Sequence, residues 1–284
     1  MGSEMCIRDR ALAIGYAPIV LAGLFKIIDK KYLVGFIIGA LGLGLQINAN
    51  HYQMTYYFLM LVGLITIINV FDDFFKKKIK DGLNKIGVVF ATTLFSIFLN
   101  ATAILATQEY SDFSTRGNSE ISINPDGSEK DDLSGLSNEY ITEYSYGKLE
   151  SFNLIVPRFM GGGSSELIDK DSDFVKELKN YDNESANIIY QNARLYWGNQ
   201  PIVAAPAYIG ISVFYIFLLA LFFIDKRHLK WIIPAIIFSL TLSWGKNFQF
   251  LTDFMINYFP FYDKFRAVSS IQVIIEFIIP LIAT

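Results

Sequence analysis

The sequence predicts an all-α polytopic membrane bundle of about seven spans, the last one truncated, with a mixed α/β extracytoplasmic loop domain between spans four and five. Three observations predict it. Of the 284 residues, 52% are hydrophobic and only 18% charged, where a soluble domain carries roughly a quarter. Seven apolar runs approach the roughly 20 residues that a helix needs to cross hydrocarbon. Basic residues gather in alternate short connections, as the positive-inside rule requires. The same composition excludes other classes. With 25 Phe and 16 Tyr the chain is not disordered, and with one Cys it is no disulfide scaffold. A net charge of −3 argues against nucleic acid as a partner.

Residues 1–10 read as a leader foreign to the rest. Met1-Gly-Ser-Glu-Met-Cys-Ile-Arg-Asp-Arg10 resembles a translated sequencing adaptor, and is set aside from fold reasoning. The closing apolar run meets no polar stop before Thr284, so an internal fragment is expected.

Spans one to four are predicted at 11–28, 32–47, 53–71 and 83–107, within a first membrane part of 11–107. Gly35, Gly39, Gly42 and Gly44 on the second span would let backbones approach closely. Lys26, Lys30 and Lys31 follow span one, and Lys76, Lys77, Lys78, Lys80 and Lys85 follow span three, which places both connections inside. The turn Asn48-Ala-Asn-His-Tyr52 lacks Lys and Arg and falls outside. His51 and Gln53 there are amide and imidazole groups that anchoring does not need; they could hold a sugar or a lipid phosphate.

The loop 108–205 carries 8 Lys and Arg against 17 Asp and Glu, a net of −9, while the other 186 residues sum to +6. Its stretch 112–138 is expected to be mobile. The run Phe152-Asn-Leu-Ile-Val-Pro157 reads as a strand ended by proline. Helices are expected from Ser172, with Phe174, Val175, Leu178 and Tyr181 on one face, and again around Ile188 and Ile189. Asp169-Lys-Asp-Ser-Asp173 starts like a calcium loop but has Phe174 where Gly is needed and Asn180 where Glu is needed, so an EF-hand is rejected. No cofactor is evident, no metal ligand set is assigned, and a divalent cation stays open.

Spans five and six, at 207–224 and 229–244 within 206–244, flank Lys226, Arg227 and Lys230, a third inside connection. The external segment 245–266 shows Phe248, Leu251, Phe254, Met255, Tyr258 and Phe259 at helical spacing, an interfacial helix flanked by Lys246, Lys264 and Arg266. Those cations would bind either a specific lipid phosphate or ordinary anionic lipid. The final span, 268–284 within 267–284, contains Glu276. An acid at that depth is a functional residue, a polar helix contact or a carboxyl kept neutral by burial.

Several of these segments together resemble the YfhO family of bacterial multi-pass membrane proteins, in the form common in Bacteroidetes. They are Leu45-Gln-Ile-Asn-Ala-Asn-His-Tyr-Gln-Met-Thr-Tyr-Tyr57, Ser114-Thr-Arg-Gly-Asn-Ser-Glu120, Tyr144-Ser-Tyr-Gly147, Pro157 with Gly161-Gly162, Tyr196-Trp-Gly-Asn-Gln-Pro201, Ser243-Trp-Gly-Lys-Asn247 and Lys264-Phe-Arg-Ala-Val-Ser-Ser270. The family is similar to GT-C membrane glycosyltransferases. The resemblance implies a protein of the bacterial cytoplasmic membrane that moves a sugar from a polyprenyl-phosphate donor to a cell-envelope glycopolymer or lipid outside. It implies that His51, Gln53, Lys246, Lys264 and Arg266 help hold the donor, and that Arg116 and Trp197 shape the acceptor side. The catalytic acid of that class follows the first span and would lie upstream of Ala11, so no catalytic residue is assigned. The alternatives are a transporter or flippase lined by Glu276, Gln272, Asn69 and Asn100, or a structural envelope protein.

Overall fold

A computed structural model describes residues 2–114, 136–178 and 180–284. The first five helices are α1 (Gly2–Ile28), α2 (Tyr32–Asn48), α3 (Tyr52–Phe75), α4 (Ile79–Leu99) and α5 (Ala101–Asp112). Then come α6 (Asn138–Ile141), α7 (Asp173–Leu178), α8 (Asn183–Asn192), α9 (Ile211–Phe223), α10 (Lys226–Ser243), α11 (Gln249–Tyr258) and α12 (Val273–Ala283). Three segments are long and apolar enough to cross a membrane: Ile7–Ile28, Tyr52–Phe75 and Ile79–Leu99. Tyr32–Asn48, Ile211–Phe223 and Val268–Ala283 are shorter apolar helices. The pattern is that of a membrane protein.

The first hairpins are tight. Lys30, Asn50 and Lys77 take left-handed φ values of 63°, 59° and 59°, each just past a helix end, where such a residue reverses the chain. Between α1 and α2 the glycines work as expected, with Gly23 of α1 added to them. A Cβ on Gly35 would lie 2.5 Å from Ile27 Cγ1, and one on Gly42 would lie 2.8 Å from the Val20 nitrogen. A Cβ on Gly44 would meet only ordinary contacts, Asn100 Nδ2 at 3.9 Å and Leu99 Cδ1 at 4.0 Å, so Gly44 belongs to no such seam.

The fourth span differs from its prediction. It starts at Ile79, and the helix breaks at Asn100, whose amide donates to Gly44 O (3.1 Å) and Ser96 O (2.9 Å). The fifth starts only at Ile211, because Gly210 adopts φ 105° and the residues before it run extended. The sixth begins early, at Lys226, where the Asp225 carboxylate accepts from Arg227 N (2.8 Å).

Ion pairs join the basic turns at one end of the bundle. Arg227 reaches Asp29 (2.8 Å), Lys230 reaches Asp72 (2.5 Å) and Lys30 reaches Asp81 (2.6 Å). Beside them Lys85 meets Asp73 at 2.6 Å, both buried. The three basic connections predicted to share a side therefore touch one another through their neighbouring acids. Above them the core is built on α3, which packs on α1, α4, α10 and α12. Phe58 meets Phe277 edge-on at 5.4 Å, with Tyr57, Ile65, Ile232 and Leu242 buried in the same cluster.

The expected mixed α/β loop domain is corrected. Among the described residues there is no strand, only an isolated bridge between Gly161 and Tyr196. The run predicted as a strand, 152–157, instead begins inside a 3-10 turn, Leu149–Leu154, and continues in turns and a bend. The Glu150 side chain folds back to accept from Gly147 N (2.9 Å), and Asn153 Oδ1 accepts from Met160 N (2.9 Å), so side chains close turns where a ladder would need extended backbone. α7 and α8 fall where helices were expected. Most of the stretch predicted to be mobile lies outside the described residues.

Candidate functional site

The end of the bundle opposite the ion pairs is covered by residues from distant parts of the chain. Tyr146 N donates to Ser243 O (2.9 Å), Asn247 Nδ2 to Tyr146 O (2.8 Å) and Lys246 N to Ser145 Oγ (3.0 Å). Trp244 Nε1 donates to Ser151 Oγ (2.8 Å), and Ser269 N to Tyr144 O (3.2 Å). Gly245 sits in this contact at φ 47°, where a side chain would run into Ser145 and Val268. Residues 144–151, 243–247 and 268–269 thus meet in one hydrogen-bonded layer.

A carboxylate organises that layer. Glu150 is buried and accepts from Gly147 N, Asn199 N (3.2 Å), Gln200 Nε2 (3.1 Å) and the Tyr196 hydroxyl. Burial, reinforced by this hydrogen bond, pushes the Tyr196 hydroxyl well above its usual range. Gln200 faces both ways: its amide NH2 binds Glu150 and its oxygen accepts from Ser269 Oγ (3.1 Å).

Beneath the layer lies a cleft of about 580 Å³. Its upper wall sets the polar groups of Tyr144, Tyr146, Gln200, Ser269, Ser270 and Gln272 beside the largely apolar stretch 202–209. Its lower wall descends α12 past Val273 and Glu276 to Pro280, opposite Arg10 and Ile14 of α1. From Gln272 to Pro280 is about 12 Å of helix rise, so one cleft spans a polar and an apolar zone. The Tyr146 hydroxyl is buried without a hydrogen-bond partner. The amides of Asn153 and Gln272 lie near it but out of bonding geometry, and burial pushes the phenol well up.

The predicted donor-side residues fall into separate groups. His51 stands at the N-cap position of α3 without a side-chain capping bond, its Nδ1 buried and unpaired, and burial lowers the imidazole from its ordinary value. Gln53 Nε2 donates to Arg266 O (2.6 Å) and to the Tyr57 hydroxyl (3.0 Å). Arg266 is engaged by the loop: its guanidinium donates to Tyr140 Oη (2.5 Å) and lies 5.1 and 5.4 Å from the Tyr140 and Tyr144 rings. That hydrogen bond holds Arg266 above its usual range, firmly charged. Lys264 pairs with Asp263 (3.2 Å). Lys246 is exposed. Gln53 and Arg266 are thus brought together, but none of Lys246, Lys264 and Arg266 lines the cleft.

On the acceptor side, Trp197 is 74% exposed on a backbone tied to Met160 O (2.9 Å), and Arg116 lies outside the described residues. Glu276 lines the cleft with Gln272. Asn69 and Asn100 do not line it; both amides bind backbone carbonyls. No group of three or more His, Cys, Asp or Glu gathers for a metal among the described residues. Glu150 was not singled out in the sequence, and Tyr146 and Gln200 entered only as members of the segments that carry the resemblance. The available signal was an acid three residues after a Tyr-Gly pair, just before the run read as a strand. No family model, curated protein or solved structure matches the chain.

Proposed function

We propose that the chain is a multi-pass protein of the bacterial cytoplasmic membrane, with the ion-paired turns inside and loop 108–205 outside. In this reading it handles a lipid-linked sugar at its outer end, as a GT-C-like glycosyltransferase acting between a polyprenyl-phosphate donor and an envelope acceptor. One observation carries the reading. The cleft joins a wall of hydroxyl and amide groups to an apolar helix face, which suits a molecule with a polar head and a hydrocarbon tail. It sits beneath the acidic loop, at the end away from the lysine-rich turns.

Arg266 supports the reading as an organiser. Clasped by two tyrosines and anchored through its carbonyl by Gln53, it ties the loop to the bundle. Lys246 is exposed in the same layer and, although outside the cleft itself, is the cation this reading assigns to a departing lipid phosphate. Transport is the weaker alternative, because Asn69 and Asn100 are spent on backbone carbonyls away from the cleft. The test is transfer of labelled sugar from polyprenyl phosphate by the membrane-reconstituted protein. Lys246→Ala should lower transfer about tenfold or more with an unchanged unfolding midpoint. Full transfer by this variant would remove Lys246 from the donor site; absence of any transfer by the parent protein would sink the enzymatic reading.

A further inference from the structure

The cleft contains a charge that sugar transfer leaves unexplained. Glu276 is exposed to it from α12, a helix whose other ten residues are apolar. Its carboxylate has no hydrogen bond or ion pair within 4 Å among the described residues; Arg10 lines the opposite wall of the cleft. An acid in such a place is rarely retained without a partner, because its desolvation is costly. Just above, the Tyr146 oxygen is buried with no partner.

The remaining polar groups on the upper wall are largely committed, Gln200 to Glu150 and Ser269 to Gln200. The cations of the outer segment, Lys246, Lys264 and Arg266, do not reach the cleft. Among the lining residues a phosphate would find a single cation, Arg10, set across from the Glu276 carboxylate. An ammonium would find a counter-ion, tyrosine oxygens and ring faces, all suited to its three N–H donors.

We propose that the cleft binds the protonated primary amine of an amphiphile, with Glu276 as counter-ion, Tyr146 as acceptor and the apolar tail along α12 towards Pro280. The proposal rests on the reading of the cleft as an amphiphile site and adds the chemistry of the head. Such an amine is offered by an aminoethyl phospholipid or by an amino sugar on a lipid.

The test is native mass spectrometry of the full chain in maltoside micelles, titrated with phosphatidylethanolamine and its N-acetyl derivative. A second pair is dodecyl glucosaminide and dodecyl glucoside. In at least one pair the amine should bind about tenfold tighter than its neutral counterpart, and the pair that does so names the source. Glu276→Gln should erase that preference and Glu276→Asp retain it, with the unfolding midpoint of each reported alongside. Arg10→Gln should leave the preference intact. Equal binding within both pairs, or a preference that survives Glu276→Gln in a folded protein, overturns the proposal. A retained amine preference in a protein that transfers no sugar would count against the enzymatic reading alone.

Discussion

At the scale of single residues, Glu150 carries the most structure. It is the shared acceptor for two backbone N–H groups, a tyrosine hydroxyl and a glutamine amide, all in one buried spot. Removing it leaves those donors unpaired. Glu150→Ala is therefore expected to cost about 3 kcal/mol or more, read as a lowered unfolding midpoint and faster proteolysis within 150–200. His51 offers a pH test. Its folded pKa is depressed by burial, so the unfolded chain takes up the proton first as pH falls. The contribution is present in full above the usual histidine range and declines as pH falls through it. The unfolding midpoint should drop between about pH 7.5 and 5.5, and His51→Gln should flatten that drop. An identical profile in the variant would show that His51 is not the group responsible. Neither residue's role was legible from its neighbours in sequence, because each depends on groups it meets only after folding.

At the scale of elements, two kinds of contact hold helices together. The α1–α2 seam works by close approach of glycine backbones, a packing that side chains could only separate. The α3–α4 hairpin works by charge, through the buried Lys85–Asp73 pair. Removing one partner leaves a charge without compensation, so Lys85→Met should cost about 3–5 kcal/mol. Lys85→Met combined with Asp73→Leu should recover most of that loss, measured by denaturant unfolding in micelles. If the double variant is as unstable as the single one, the pair acts through something other than its mutual charge. The helix expected within 245–266 was also legible in part. α11 turns Met255 into the core while Phe250, Phe254 and Tyr258 are 82%, 45% and 75% exposed. The predicted stripe had put Met255 and Phe254 on one face. Helical spacing identifies which residues can share a face, but Thr252 binding Gly245 O (2.9 Å) sets which face turns inward.

At the scale of the whole molecule, the two ends differ in chemistry. One end is a set of ion pairs among three basic turns; the other is a hydrogen-bonded layer of loop segments, built round the Glu150 carboxylate, over a cleft. The proposed orientation follows from that difference and can be checked directly. In a chain with Cys6 replaced by Ser, Lys78→Cys should react with an impermeant maleimide only after the membrane is opened. Ser165→Cys should react from outside in intact cells. Labelling of both from the same side would overturn the topology. A cleft joining a polar to an apolar zone also fits an amphiphile better than a soluble substrate, which is why the proposed ligands are lipid-linked.

The sequence by itself determined the class of the molecule. Apolar runs of membrane length, basic turns in alternation and an acidic loop are properties of composition over short windows, and transfer to hydrocarbon responds to those windows directly. It also located the glycine seam on α2 and the helices α7 and α8. Tertiary structure alone decided what meets what. It brought residues 144–151, 196–200, 243–247 and 264–270 into one layer, turned an expected strand into a turn around Glu150, engaged Arg266 with two tyrosines and opened Glu276 to a cleft. Those outcomes depend on hydrogen bonds and contacts between groups up to 126 positions apart, and local pattern does not encode such pairings.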